Sequence, residues 1–183
     1  AAQIFTSKGF IIRSGFLNRA ALETLIFTIS PSKVDFGTLT PLKPAVENLI
    51  LTVSSANFPG YSVFVAQNRP LSTDAGAEIP DTVCDAAENK ICTPEKSNLW
   101  LLPSSYGFGY QLTGHNISKD FNKDNVFRPF ASISKKEKAV LIMESDAKKI
   151  THTAGMRLKI NLSYSQPVGI YQNSLNFTAL PGI

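Results

Sequence analysis

The sequence predicts an all-β fold: an antiparallel two-sheet β-sandwich of the immunoglobulin-like or jelly-roll type, with an N-terminal extension strand. Three observations point there. Short runs of alternating apolar and polar residues recur along the 183 residues, Pro, Gly, Ser and Asn separate them, and no long stretch carries a capped apolar stripe of helical period. The length suits one domain with a real core. It divides into an extension, residues 1–20, and a sandwich domain, residues 21–183.

The extension places seven large apolar residues in the first seventeen, among them Ile4, Phe5, Phe10, Ile11 and Ile12. Residues 3–13 read as a strand in which Ile4, Phe10 and Ile12 share one parity, Gly9 interrupts, and Phe5 and Ile11 make the second face apolar. A terminus of this kind is expected to be tied down. It either pairs with its own sheet or fills a groove on a neighbouring subunit by strand addition. Residues 18–25 are the best helical candidate, and a short one.

Core strands are then expected at 25–29, around Leu49, Leu51 and Val53, around Tyr61, Val63 and Val65, and at 139–143. The interval 67–105, with Pro70, Pro80, Pro94 and Pro103, reads as a loop insertion, the usual carrier of recognition. Gly107-Phe108-Gly109 reads as a turn or bulge, because Leu112 stands where a dinucleotide loop needs its third glycine. From 156 to 164 alternation is strict, with Met156, Leu158, Ile160, Leu162 and Tyr164 on one face. After the turn Gln166-Pro167-Val168-Gly169, Tyr171, Leu175, Phe177 and Ala179 share a face, which predicts an antiparallel hairpin with the preceding strand.

Charged residues make up 17% of the chain and the net charge is +4, well short of the basic field of a nucleic-acid binder. Ser, Thr, Asn and Gln take the place of ions at the surface. No run of eighteen apolar residues offers a membrane span. The opening Ala1-Ala2, without Met or an apolar leader, fits a mature exported chain. Cys84 and Cys92, the only two cysteines, sit in a polar loop. They read as a local disulfide made in an oxidising compartment, with two free thiols as the alternative. Such a ring stabilises by about 2–3 kcal/mol and would pin an exposed loop.

Chemistry is sparse. His115 and His152 have no metal-ligand spacing and read as surface or turn residues, and no G-x-S-x-G elbow is present. Asp81, Asp85 and Glu88 match no EF-hand, so neither metal nor cofactor is expected. No nucleophile, base and orienter assemble, which argues against an enzyme. Lys135, Lys136, Lys138, Lys148 and Lys149 flank an apolar strand as solubility gatekeepers. Sequons at Asn116, Asn161 and Asn176 offer glycosylation sites, the last two with outward parity on their strands. Trp100, Tyr106, Phe108 and Tyr110 would form an aromatic platform if the chain recognised glycans or partners.

Two stretches carry a resemblance. Ser30-Pro31-Ser32-Lys33-Val34-Asp35-Phe36-Gly37-Thr38-Leu39-Thr40-Pro41 resembles a segment of secreted bacterial and archaeal surface β-sandwich proteins. Ser165-Gln166-Pro167-Val168-Gly169-Ile170-Tyr171-Gln172-Asn173, followed by Asn176-Phe177-Thr178-Ala179, resembles the hairpin that closes many of them, and Ile79-Pro80-Asp81-Thr82-Val83-Cys84 adds to the likeness. The neighbourhood is similar to TasA-type biofilm-matrix fibres and donor-strand pili. The resemblance implies a secreted subunit of an extracellular filament, a head-to-tail homopolymer with Ile4, Phe5, Phe10, Ile11 and Ile12 as donor plugs. A monomeric surface adhesin or carbohydrate-binding module is the competing class.

Overall fold

The computed structural model describes residues 10–12, 24–56, 58–148 and 150–182. Ile4 and Phe5 lie outside them, as does most of the helical candidate at 18–25, whose last two residues open a strand instead. Fourteen strands form: β1 (Phe10–Ile12), β2 (Thr24–Ser30), β3 (Ala45–Ala56), β4 (Tyr61–Gln67), β5 (Leu71–Ser72), β6 (Glu78–Ile79), β7 (Cys84–Asp85), β8 (Lys90–Ile91), β9 (Asn98–Leu99), β10 (Gly107–Gly114), β11 (Val126–Phe127), β12 (Val140–Ser145), β13 (Ile150–Asn161) and β14 (Leu175–Pro181). The only helices among the described residues are two single 3₁₀ turns, Ala86–Glu88 and Ile133–Lys135.

All named strand pairs are antiparallel. A five-stranded sheet runs β1-β2-β3-β13-β10 and a three-stranded sheet runs β12-β4-β14. Alternation explains which side chains go in: Leu49, Leu51 and Val53 of β3, Val63 and Val65 of β4, and Ala154, Met156, Leu158 and Ile160 of β13 are all buried in one cluster. Phe27 of β2 and Phe177 of β14 meet across it, ring centroids 5.9 Å apart.

The hairpin expected between 156–164 and 171–179 does not form. β13 belongs to the larger sheet and β14 to the smaller, where it pairs β4 from Leu175↔Gln67 to Pro181↔Tyr61. The connection crosses between sheets, and Tyr164, past the end of β13, is 78% exposed. Gly107-Phe108-Gly109 opens β10, not a turn. Its glycines admit close neighbours: a Cβ on Gly109 would lie 2.6 Å from the Arg128 carbonyl oxygen.

One lateral side is closed by backbone hydrogen bonds. Ser118 N–H donates to Ile142 O (3.0 Å) and Glu144 N–H to Asn116 O (2.9 Å), covering the outer edge of β12. Tyr110 and Arg128 exchange bonds of 2.8 Å, and Phe108 N–H donates to Pro80 O, covering β10. The opposite side differs: β14 ends its sheet, and among the described residues no strand pairs its outer edge.

Candidate functional site

The open side carries a groove of about 1100 Å³. Its floor is the core itself, with Phe27, Leu49, Phe108, Leu158 and Ile160 reaching it from the larger sheet. One wall is the β2–β3 connection, which brings Val34, Phe36 and Leu39 against the core; the other is the β13–β14 connection with Leu175 and Phe177. Lys33, Asp35, Gln166, Asn173 and Asn176 add polar groups to the lining.

The two resembling stretches are these two walls. In the first, Asp35 Oδ1 accepts from Gly37 N–H at 2.8 Å and Gly37 takes φ +62°, a turn that a side chain would strain. It leaves the Phe36 ring edge-on to Phe108 at 6.4 Å. In the second, Gln166 Nε2 donates to Glu78 O and Tyr171 Oη, and Tyr171 Oη donates to Pro167 O at 2.6 Å. Gln172 and Ser72 exchange backbone bonds, and Asn173 Nδ2 donates to Gln67 Oε1 at 3.0 Å. A Cβ on Gly169 would meet Thr73 Cγ2 at 2.6 Å, which explains the glycine.

Cover along this side is incomplete. Val65 and Val63 of β4 are exposed by no more than 1%, yet their cross-strand neighbours on β14, Phe177 and Ala179, are only half-buried, as is Ile29 on β2. Strand alternation points all of them at the core, and among the described residues no element covers them fully. The described part of the N-terminal extension, β1, sits at this same side of the larger sheet on β2.

The remaining candidate residues disperse. Cys84 and Cys92 form a disulfide, Cα–Cα 5.6 Å, but they do not staple an exposed loop: both are buried with Trp100 and Phe127 in a second small core. Trp100 and Tyr110 offer no ring face to a glycan. Trp100 is fully buried, its Nε1–H donating to Ser105 O at 2.8 Å, and Tyr110 stacks on Phe130 at 4.4 Å; Phe108 is buried and Tyr106 half-buried. Asn161, for all its outward parity, is 1% exposed because residues 103–105 fold over it and take its Nδ2 hydrogens at Pro103 O and Ser105 O. Asn176 is half-buried in the groove lining, and Asn116 is exposed and hydrogen-bonds the His152 ring. His115 is exposed, whereas His152 is half-buried and lies 3.0 Å from Tyr61 Oη.

The acidic residues 81, 85 and 88 do not converge. Asp81 accepts from Gln67 and Lys135, Asp85 from the Leu101 and Leu102 amides and Ser105 Oγ, and Glu88 pairs with Lys90. No cluster of His, Cys, Asp and Glu suited to a metal occurs among the described residues.

Two charged side chains missed by the sequence reading are buried. Lys159 faces outward on β13, but the loop carrying Trp100 covers it. Its Nζ donates to Trp100 O at 2.6 Å and lies 4.4 Å from the Trp100 ring centroid. Burial pushes it down to about 8, against a smaller opposing pull from Asp85. Arg128, 3% exposed, pairs with Asp120 through Nε (2.8 Å) and Nη2 and lies over the Phe121 ring. Burial works to raise the Asp120 carboxyl, but the Arg128 and Ser97 hydrogen bonds outweigh it and hold it below the usual carboxylate range.

Comparison of the chain with protein-family models, curated proteins and solved structures finds no match. No helix among the described residues is long and apolar enough to cross a membrane.

Proposed function

We propose that the chain is the structural subunit of an extracellular filament, a pilus or matrix fibre, whose identical subunits join head to tail by donation of the N-terminal segment into the groove of the next. The two sheets act as the halves of one β-sandwich whose described residues leave its β2/β14 side incompletely covered. The carrying observation is that incomplete cover, set beside an N-terminal segment with apolar residues on both faces. A groove of about 1100 Å³, at the upper end of the roughly 300–1,000 Å³ typical of small-molecule sites, has room for a peptide segment. One donor and one acceptor per subunit make a heterologous contact, which propagates when it does not close. The buried disulfide fits an oxidising, extracellular setting. The likeness of both groove walls to exported surface proteins fits the same setting.

The test is negative-stain electron microscopy of the chain beside a version lacking residues 1–17, at matched concentration. Filaments from the first and dispersed particles from the second are expected. Dispersed particles from both, across concentrations up to the millimolar range, refute self-polymerisation.

A further inference from the structure

The strand β1 pairs with the outer edge of β2 in a defined register: Phe10↔Phe27, Ile11↔Ile26, Ile12↔Leu25. Phe27 and Leu25 are buried core positions, whereas Ile26 is 37% exposed. The register therefore places Phe10 and Ile12, two of the three residues of shared parity, opposite the two buried positions of β2. The described part of β1 is three residues, below the usual strand length of about five or six. A pairing held over these three positions rests on few backbone hydrogen bonds and is readily exchanged. Phe27, already paired with Phe10, and Ile29 beyond it line the groove. A longer donor keeping this register runs past Ile29 into it.

We propose that the β1–β2 pairing is the subunit junction itself. The N-terminal segment of a second copy adds to β2 in this register and displaces the chain's own β1. The isolated chain is thus self-capped, and growth is strand exchange. A second copy is the fitting occupant because a segment that matches its own β2 matches β2 of every copy, as in domain swapping. The inference rests on the filament reading and adds the site and register to it.

The test uses the double variant I11C/I26C. Ile26 faces solvent, and the two native cysteines are already bonded to each other. A short bifunctional thiol reagent is applied before or after assembly, and products are resolved on denaturing gels. Cross-linking after assembly should give a ladder of covalent multimers. Cross-linking dispersed chains first should give an internal link and cut filament growth at least tenfold. Filaments without a ladder, or undiminished growth from pre-linked chains, overturn the junction while leaving the filament reading standing. Absence of filaments from the parent chain overturns both. An arm independent of the variant's folding adds a synthetic peptide of residues 1–17 to the parent chain. It should cap growth, and the same peptide carrying Phe10→Asp should be at least tenfold weaker. Equal potency of the two peptides overturns the register.

Discussion

Replacing both cysteines, Cys84→Ala with Cys92→Ala, should lower stability by about 3 kcal/mol. The bond joins positions eight apart, so its loss returns roughly 8 cal/mol/K of entropy to the unfolded chain, about 2.5 kcal/mol at 25 °C. Both sulfurs are also buried against Trp100 and Phe127, and removing those contacts adds on the order of 1 kcal/mol. For a chain of this size each kcal/mol moves Tm by about 2–4 °C, so the melting point should fall by about 6–12 °C. Differential scanning calorimetry measures this directly, with urea titration to check that the m-value is unchanged. Because the sulfurs are buried, reduction of the native protein should follow its unfolding rate instead of the thiol concentration. A fall of less than about 3 °C, or rapid reduction of the folded chain, would refute the placement of this bond within a core.

Four further outcomes are expected. Lys159 binds its proton more weakly folded than unfolded, so stability should rise with pH between about 8 and 10.5; Lys159→Met should abolish that rise in urea titrations across the range. Burial pushes Tyr61 and Tyr110 up to about 12, so the same curve should turn down above pH 10, where the unfolded tyrosines lose protons first. Asp120→Asn leaves the buried Arg128 guanidinium without its counter-charge and should cost about 3–5 kcal/mol, read as a lowered denaturation midpoint. Gly60 combines φ +125° with a site where a Cβ would lie 2.0 Å from Ser145 O; Gly60→Ala should therefore prevent folding or lower Tm sharply, while Gly76→Ala, with open space around it, should lose only about 1–2 kcal/mol.

Alternation made most of the large strands legible. Leu49, Leu51, Val53, Val63, Val65, Met156, Leu158 and Ile160 all lie where a period of two puts them. Pairing was less legible, because periodicity says which face a residue takes and nothing about its neighbours. The strands at 156–164 and 171–179 looked like a hairpin, yet the intervening chain is anchored on Ser72 and Glu78 and delivers β14 to β4. β10 hid behind its glycines, although Phe108, Tyr110 and Leu112 alternate within it. Parity also misjudged Asn161 and gave no sign of a buried Lys159, since the element that buries both comes from residues 100–105, more than fifty positions upstream. The groove walls were visible as motifs, but their facing one another across a groove floored by the core is a tertiary fact.

The pairing of β3 with β13, which holds the larger sheet together at its centre, has a temporal consequence. Leu49 lies opposite Met156, a separation on the order of a hundred positions, so the edge of β3 must wait for its partner. At a synthesis rate of about 5–20 residues per second that wait is about 5–20 s. Throughout it, the β2–β3 hairpin presents Leu49, Leu51 and Val53 along an unsatisfied edge, and nothing made in the interval replaces β13 in the sheet order. The nascent chain is thus most vulnerable to misassociation before its last quarter exists, and a holding factor acting on residues 45–56 would matter more to its yield than one acting on any finished surface.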